Sequence, residues 1–235
     1  MFHKKYLQII MNDSVPDKLI IGVDEAGRGC MWGSVFAGAV ILPNELVNNE
    51  IISDTEKRLL RDSKKLSEKR RNEAAELIHT RAIAYGVGEC TANEIDAQNI
   101  LRATHTSMHR AIDKCIQMAR EKYPGFKNFE IRIDGNSFRM YQEPLEGDVI
   151  PYECIIGGDD SDRAIAAASV LAKTGRDLFV KEHVTIDPTI DIQWGMLSHK
   201  GYCTKKHMSA IQEYGIHELH RKSYAPVKRV LGIID

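Results

Sequence analysis

A run of apolar residues that breaks straight into charge sets the tightest limit on how this chain can fold. Leu19 to Val23 (LIIGV) reads as a buried strand, and it ends at Asp24-Glu25 and the glycine-rich turn AGRG. Two later strands end in the same way. Phe129, Ile131 and Ile133 alternate with polar residues up to Asp134-Gly135-Asn136, and Val149 to Ile156 stops at GGDDSD, residues 157–162, which carries Asp159 and Asp160. A carboxylate at a strand end beside glycine can face a cleft without being buried unpaired. Several converging there repel one another unless cations sit between them. Oxygen ligands with no His or Cys cluster favour Mg²⁺ or Mn²⁺ over zinc. Two such ions roughly 3.5–4 Å apart can activate water and stabilise the leaving oxygen of a phosphodiester. The plainer alternative is that Asp and Gly end strands because they make turns. Adjacent residues of a regular strand also point to opposite faces, so Asp24 and Glu25 share a site only if the strand ends or bulges there.

The remaining pattern is helix and strand in alternation. A second strand is expected from about Val35 to Leu42, stopped by Pro43, and a short one carries Ile83, Tyr85 and Val87. Ser67 is placed to cap a helix reaching about Ala82. Leu101, Met108, Ala111, Ile112, Cys115, Met118 and Ala119 mark a long amphipathic helix between Asn99 and Glu121. Ile165 to Val180 reads as a helix lying on the sheet, and the remainder as helical or irregular and basic. Early strands followed by this alternation give an α/β fold: a mixed sheet flanked by helices, with a helical C-terminal region. Nothing demands an internal boundary, so residues 1–18 are read as an N-terminal extension and 19–235 as a single domain.

Composition narrows the class further. The longest strongly apolar stretch, Val35 to Leu42, is far short of the roughly 20 residues a spanning helix needs. The 5 cysteines are scattered with no C-x-x-C, which is neither a disulfide framework nor a zinc site. A cytoplasmic protein with no membrane partner is expected. Net charge is −1, but its distribution is uneven. Residues 56–71 carry eight basic side chains against three acidic, and residues 198–229 carry seven against two. Basic flanks around an acidic centre suit a metal-dependent enzyme acting on a phosphate backbone. The alternative for each run is a solvated helix face.

The segment GVDEAGRG, Gly22 to Gly29, resembles the signature of the type 2 ribonucleases H, ribonuclease HII. The likeness continues in order through DSKKLSEKRR (Asp62 to Arg71), EID (Glu94 to Asp96), IDGN (Ile133 to Asn136), GGD with IAAASVLAK (Gly157 to Lys173), HKGY-x-T (His199 to Thr204) and HRKSYAPV (His220 to Val227). It implies a ribonuclease H-like sheet and endonucleolytic cleavage of RNA in RNA–DNA hybrids and at ribonucleotides embedded in duplex DNA, leaving 3′-hydroxyl and 5′-phosphate ends. The family's metal-binding carboxylates fall on Asp24, Glu25, Asp134 and Asp159, holding two Mg²⁺ or Mn²⁺ ions. Asp160 and Asp162 are extra acids, read as solvated surface. The ribonucleotide-reading loop falls on Gly27, Arg28 and Gly29, where glycines let the backbone approach a sugar and its 2′-hydroxyl. Tyr202 takes the place of the tyrosine that stacks on the next sugar. Lys64, Lys65, Lys173, Arg176, Lys200 and Arg221 are candidate phosphate contacts.

The chain departs from the family pattern after Gly29. Cys30-Met31-Trp32-Gly33-Ser34 replaces a proline and a small-residue stretch; losing a proline's fixed φ predicts a looser loop, and Trp32 is large for the place. Cys30 is read as a steric replacement for the proline. No sliding-clamp motif is visible in the closing VLGIID, and a monomer is expected. Two rivals stand beside this assignment: a ribonuclease HIII, against which the short segment before Leu19 and the arginine of GRG speak, and a non-catalytic hybrid-binding module, against which the intact carboxylates speak.

Overall fold

The computed structural model describes residues 15–48, 53–60, 66–144 and 147–234. Five strands form one sheet in the order β3-β2-β1-β4-β5: β1 Leu19–Ala26, β2 Val35–Ile41, β3 Ala84–Cys90, β4 Phe129–Asp134 and β5 Tyr152–Ile155. β1, β2 and β3 pair antiparallel, while β4 joins β1 and β5 joins β4 in parallel. The sheet is therefore mixed, as the sequence predicts, and its central strand β1 is buried at nearly every position.

Helix α1 (Glu68–Arg81) starts at Ser67, whose hydroxyl accepts from the Arg70 N–H. Two long helices cover the faces of the sheet: α2 (Ile100–Lys122) and α3 (Arg163–Ile186). Ile21, Val23, Met108, Ile112, Ile116, Ile131 and Ile133 form the core on the α2 side. Val40, Leu46, Leu60, Ile78, Val170 and Leu171 form the one shared by α1 and α3. Glycine fixes how close these helices come. A Cβ at Gly38 of β2 would overlap the Ala168 carbonyl of α3, and one at Gly88 of β3 would overlap the Ser107 carbonyl of α2. Of the alternation expected around Ile83, Tyr85 and Val87, only Tyr85 and Val87 mark a face of β3, toward the core shared by α1 and α3; Ile83 precedes the strand and packs on the α2 side. The other face is Ala84, Gly86, Gly88 and Cys90, small residues that lie flat under α2.

Several boundaries differ from expectation: β1 runs on past Val23 to Ala26, and α3 runs on past Val180 to Ile186. The last strand begins at Tyr152 rather than Val149, because Pro151 has no N–H to give to a ladder. Helix α3 begins at Arg163, two residues earlier than expected, because Asp162 caps it and accepts from the Ala164 and Ile165 N–H groups at 2.8 and 3.2 Å. Asp162 also pairs with Arg132 at 3.0 Å, so it is a structural cap and not the solvated surface acid that was expected.

The C-terminal region is helical, with α4 (Lys205–Tyr214) and the short helix Ala225–Val230. It has its own apolar centre, and Trp32 from the loop after β1 is buried completely within it. No described helix is long and apolar enough to cross a membrane.

Close helix–sheet approach at Gly38 has a measurable consequence. Gly38→Ala should lower the unfolding free energy by about 1–3 kcal/mol, the usual cost of overpacking a dense core. Urea denaturation checks it; an unchanged midpoint would mean that α3 can lift from the sheet without loss.

Candidate active site

The parallel register of β1 and β4 aligns Val23 with Ile133, which sets the next residues side by side, Asp134 at the end of β4 and Asp24 within β1. Beyond β5 the chain turns through Gly157, held at φ 68, into a short helix Gly158–Ser161 that carries Asp159. Carboxylate oxygens of Asp24, Asp134 and Asp159 all lie within 4.8 Å of one another. Asp24 and Asp159 are buried, at 5% and 3% exposure. Asp160, the neighbouring acid, faces solvent.

β1 neither ends nor bulges at Asp24. Its ladder with β2 runs unbroken from Gly22 to Ala26, so Glu25 points away from Asp24 and stays outside the close group. The Glu25 carboxylate instead takes the Arg28 guanidinium at 3.1 Å. Burial pushes the Glu25 carboxyl up, Arg28 opposes this, and the Asp134 charge adds to the rise. Sequence reasoning therefore places four carboxylates in one site, and the fold brings three of them into contact with the fourth alongside.

Burial raises Asp24 to about 7, helped by the negative charges of Glu25 and Asp134 and opposed by a hydrogen bond from Ser169 of α3. Ser169 Oγ in turn accepts from Lys173 Nζ at 2.9 Å. The Glu25 N–H donates to Asp24 Oδ1 at 2.7 Å, which fixes the carboxylate's rotation. A set of oxygen donors that crowd one another when no cation lies between them fits a divalent-metal site.

The loop that leaves β1 is clamped on all sides, contrary to the looseness that losing the proline predicts. The Met31 N–H donates to the Gly201 carbonyl at 2.8 Å, and the Gly33 N–H to Leu219 at 2.9 Å. Arg221 Nε donates to the Gly33 carbonyl at 2.8 Å, and its Nη1 to the Arg28 carbonyl at 3.1 Å. Tyr224 Oη donates to the same Arg28 carbonyl at 2.5 Å. Arg176 Nη2 donates to the Trp32 carbonyl at 3.1 Å and its side chain fills the space under Gly27, whose φ of 91 only glycine adopts readily. Trp32 adds edge contacts to Phe179 and His183, with ring centroids 5.7 and 5.9 Å away, and its Nε1 donates to His217 at 3.2 Å.

This clamp corrects the assignment of Arg221. A guanidinium with 0% exposure cannot reach a phosphate; it braces the loop. Arg176, at 3%, acts chiefly in the same way. Lys173 and Lys200 do come together with Tyr202, in a cleft of about 290 Å³ beside Ala26 that Arg71, Arg176 and Asp177 also line. Arg28 and Gly29 are exposed, and Gly29 lies beside the Tyr202 ring. Lys64 and Lys65 lie outside the described residues. Sequence reasoning assigned no role to Ser169, Trp32, Asp96 or Tyr224. Asp96 accepts from the Lys222 and Ser223 N–H groups, both at 2.8 Å, and so anchors the segment that delivers Arg221. The signal was present, since Ser169, Asp96 and Tyr224 all lie inside the quoted motifs.

A family model described as Ribonuclease HII matches residues 21–227. The chain is 44% identical over 205 residues to a ribonuclease HII of Christiangramia forsetii, covering 87% of this chain and 89% of that protein. It is 42% identical over 214 residues to a ribonuclease HII of Neisseria meningitidis serogroup C, covering 91% and 96%. Among solved structures, the ribonuclease H2 of Pyrococcus horikoshii OT3 matches with a TM-score of 0.60 at 19% identity, over 90% of this chain and 96% of that one. Bst ribonuclease HIII in complex with Mn²⁺ matches with a TM-score of 0.62 at 17% identity, over 94% and 71%. At these identities the two structures establish the shared fold.

Asp24 also ties stability to pH. Its folded value of about 7 lies above the ordinary 3.8, so the folded protein holds a proton that the unfolded chain has released. The stability this proton contributes is complete below about pH 4 and is lost as pH rises through 7. Asp24→Asn removes the charge at nearly constant shape and should raise the metal-free Tm at pH 8 by roughly 5–10 °C, with little change at pH 4. Added Mn²⁺ should close the gap at pH 8 by stabilising the unsubstituted protein. Calorimetry at the two pH values checks both.

Proposed function

The chain belongs to the ribonuclease HII family, and we propose that its chemistry is carried by Asp24, Glu25, Asp134 and Asp159, with residues 19–235 acting as one catalytic unit. It is an endonucleolytic phosphodiester hydrolase of the ribonuclease H class, acting on RNA in RNA–DNA hybrids and at ribonucleotides embedded in duplex DNA. The observation that carries the site is the convergence of three carboxylates at the foot of a glycine loop pinned from both sides. Asp24, Asp134 and Asp159 would hold divalent cations, Mg²⁺ or Mn²⁺, with Glu25 completing the set from its place beside Arg28. Such cations supply an activated water and stabilise the charge on the leaving oxygen.

The protein's own groups do the rest. Ser169 and the Glu25 N–H hold Asp24 in one rotamer. The Gly27–Gly29 loop presents its backbone to the ribose, since a 2′-hydroxyl is the only group that separates RNA from DNA at one nucleotide. Tyr202, half exposed beside Gly29, offers its ring to the adjacent sugar. Lys173 and Lys200 line the cleft where a backbone phosphate would lie.

Asp134→Asn should abolish cleavage in Mg²⁺ while leaving hybrid affinity within about an order of magnitude, because it removes an ion ligand and no phosphate contact. Cleavage by this variant at the unsubstituted rate would refute the site assignment. Tyr202→Ala should slow cleavage at a single ribonucleotide in duplex DNA by about one to two decades, the equivalent of roughly 1–3 kcal/mol of stacking. Long hybrids offer many registers and the same phosphate contacts in each, so they should lose less. Equal losses on both substrates with a lowered Tm would reduce Tyr202 to a packing residue.

A further inference from the structure

The loop after β1 lies between two segments of the C-terminal region. On one side the Met31 N–H donates to the Gly201 carbonyl at 2.8 Å, and Cys30 bridges Tyr202. On the other, the Arg221 N–H donates to the Met31 carbonyl at 2.8 Å, the Gly33 N–H donates to the Leu219 carbonyl at 2.9 Å, and Trp32 bridges His220. Two buried imidazoles tie these segments to each other. His220 of the second segment and His207 of α4 set their Nε2 atoms 2.9 Å apart, and His207 Nδ1 lies 3.0 Å from the Tyr202 carbonyl of the first.

One arrangement of hydrogens satisfies the pair. The Tyr202 carbonyl accepts, so His207 Nδ1 carries a hydrogen and its Nε2 is bare. The His217 N–H donates to His220 Nδ1 at 2.8 Å, so that nitrogen is bare and His220 Nε2–H donates to His207. The His217 carbonyl also lies 3.2 Å from His220 Nδ1, but moving the hydrogen of the neutral ring there would leave two bare Nε2 atoms face to face. An added proton goes either to His207 Nε2, against the His220 N–H, or to His220 Nδ1, which deprives the His217 N–H of its acceptor.

The titratable groups around the pair are mostly further histidines. His199 stacks on His207 with ring centroids 4.5 Å apart, and the His217 main chain meets His220. Asp191 and Lys206 act on His199, and Asp187, Glu218 and His183 on His217. The Arg221 guanidinium turns away to the Arg28 and Gly33 carbonyls. The charges that act most strongly on the pair itself are those of the other histidines. Burial holds His207 down to about 4 and, with the His207 charge, His220 down to about 3.

We propose that His207 and His220 form a proton-sensitive lock: when neutral they strap residues 30–33 between the two segments, and proton uptake by the pair frees the loop after β1 while the sheet keeps its fold. Both values lie below the ordinary 6.5, so the stability that the lock contributes is complete above about pH 6.5 and is lost as pH falls.

Amide hydrogen exchange on the full-length protein between pH 7 and pH 5, corrected for the intrinsic rate, tests this. Each released histidine takes up a proton below about 6.5, so opening should grow by up to about tenfold per pH unit for each and about a hundredfold for the pair. Protection of the Met31, Gly33 and Arg221 amides should fall accordingly, while that of Val23 and Ile133 in the paired strands holds. Trp32 and Trp194, the chain's 2 tryptophans, both touch histidines of this region, and their fluorescence should move with the loss. His207→Gln keeps an acceptor for His220 and removes one titrating ring, which should cut the dependence to about tenfold per pH unit. If that variant does not fold, nitrogen-15 NMR of the unsubstituted protein decides: His207 should be the Nδ1–H tautomer and His220 the Nε2–H tautomer, both neutral at pH 6. A charged ring in either at pH 6 would overturn the proposal. So would protection that stays flat to pH 5, strands that open together with the loop, or a folded His207→Gln variant with an unchanged dependence.

Discussion

Asp24, Asp134 and Asp159 are held within 4.8 Å of one another by backbone that gives them no way to separate, and most of the architecture follows from that. β1 and β4 are neighbouring central strands locked in parallel register, so Asp24 and Asp134 cannot slide apart. Asp159 comes from a third direction, on the turn after β5, and its helix is continued by α3, which also supplies Ser169 to Asp24. At close range, carboxylates in a partly dry setting repel strongly. Burial above all, with the charges of Glu25 and Asp134 adding to it, leaves Asp24 holding a proton up to about pH 7. The glycines that let α2 and α3 lie close to the sheet make the scaffold stiff enough to bear it.

The loop after β1 is stabilised by a different device. Arg176 and Arg221 are buried guanidiniums whose partners here are main-chain carbonyls: Trp32 for the first, Arg28 and Gly33 for the second. Arg176 Nε and Arg221 Nη2 make no hydrogen bond among the described residues. Burying a charge in this way is costly, and burial does push Arg221 below its ordinary range. What it gives in return is geometric. Between them the two planar forks hold three carbonyls of one loop, so a loop without its proline is still clamped.

Much of this was legible in the order of residues, and the failures have local causes. Apolar runs that break into acidic residues and glycine marked Asp24, Asp134 and Asp159, because pleat and turn chemistry act over a few residues. The same pleat argument showed that Asp24 and Glu25 face apart in a regular strand, and the unbroken ladder with β2 agrees. Asp162 was mistaken for a surface acid because a helix cap is recognisable only once the first turn is placed correctly. Arg221 was mistaken for a phosphate contact because a basic residue in a basic segment looks exposed. Its burial depends on Trp32, Met31 and Gly33, almost two hundred positions away, and no local pattern carries that information.

That separation in sequence gives the molecule an order of assembly. The close group of Asp24, Asp134 and Asp159 has all its members, and Ser169 beside Asp24, once the chain has passed residue 169. The loop beside it is held by partners as far as 196 positions downstream, at Tyr224. During synthesis, the acids can therefore gather well before the segment that fixes the Gly27–Gly29 loop has left the ribosome. The same asymmetry governs fraying. If the C-terminal helices detach, the carboxylates keep their scaffold while the loop loses the Gly201, Leu219 and Arg221 bonds together. The conformation of the Gly27–Gly29 loop is thus the later-gained and earlier-lost feature, and the close group of three acids the more durable one.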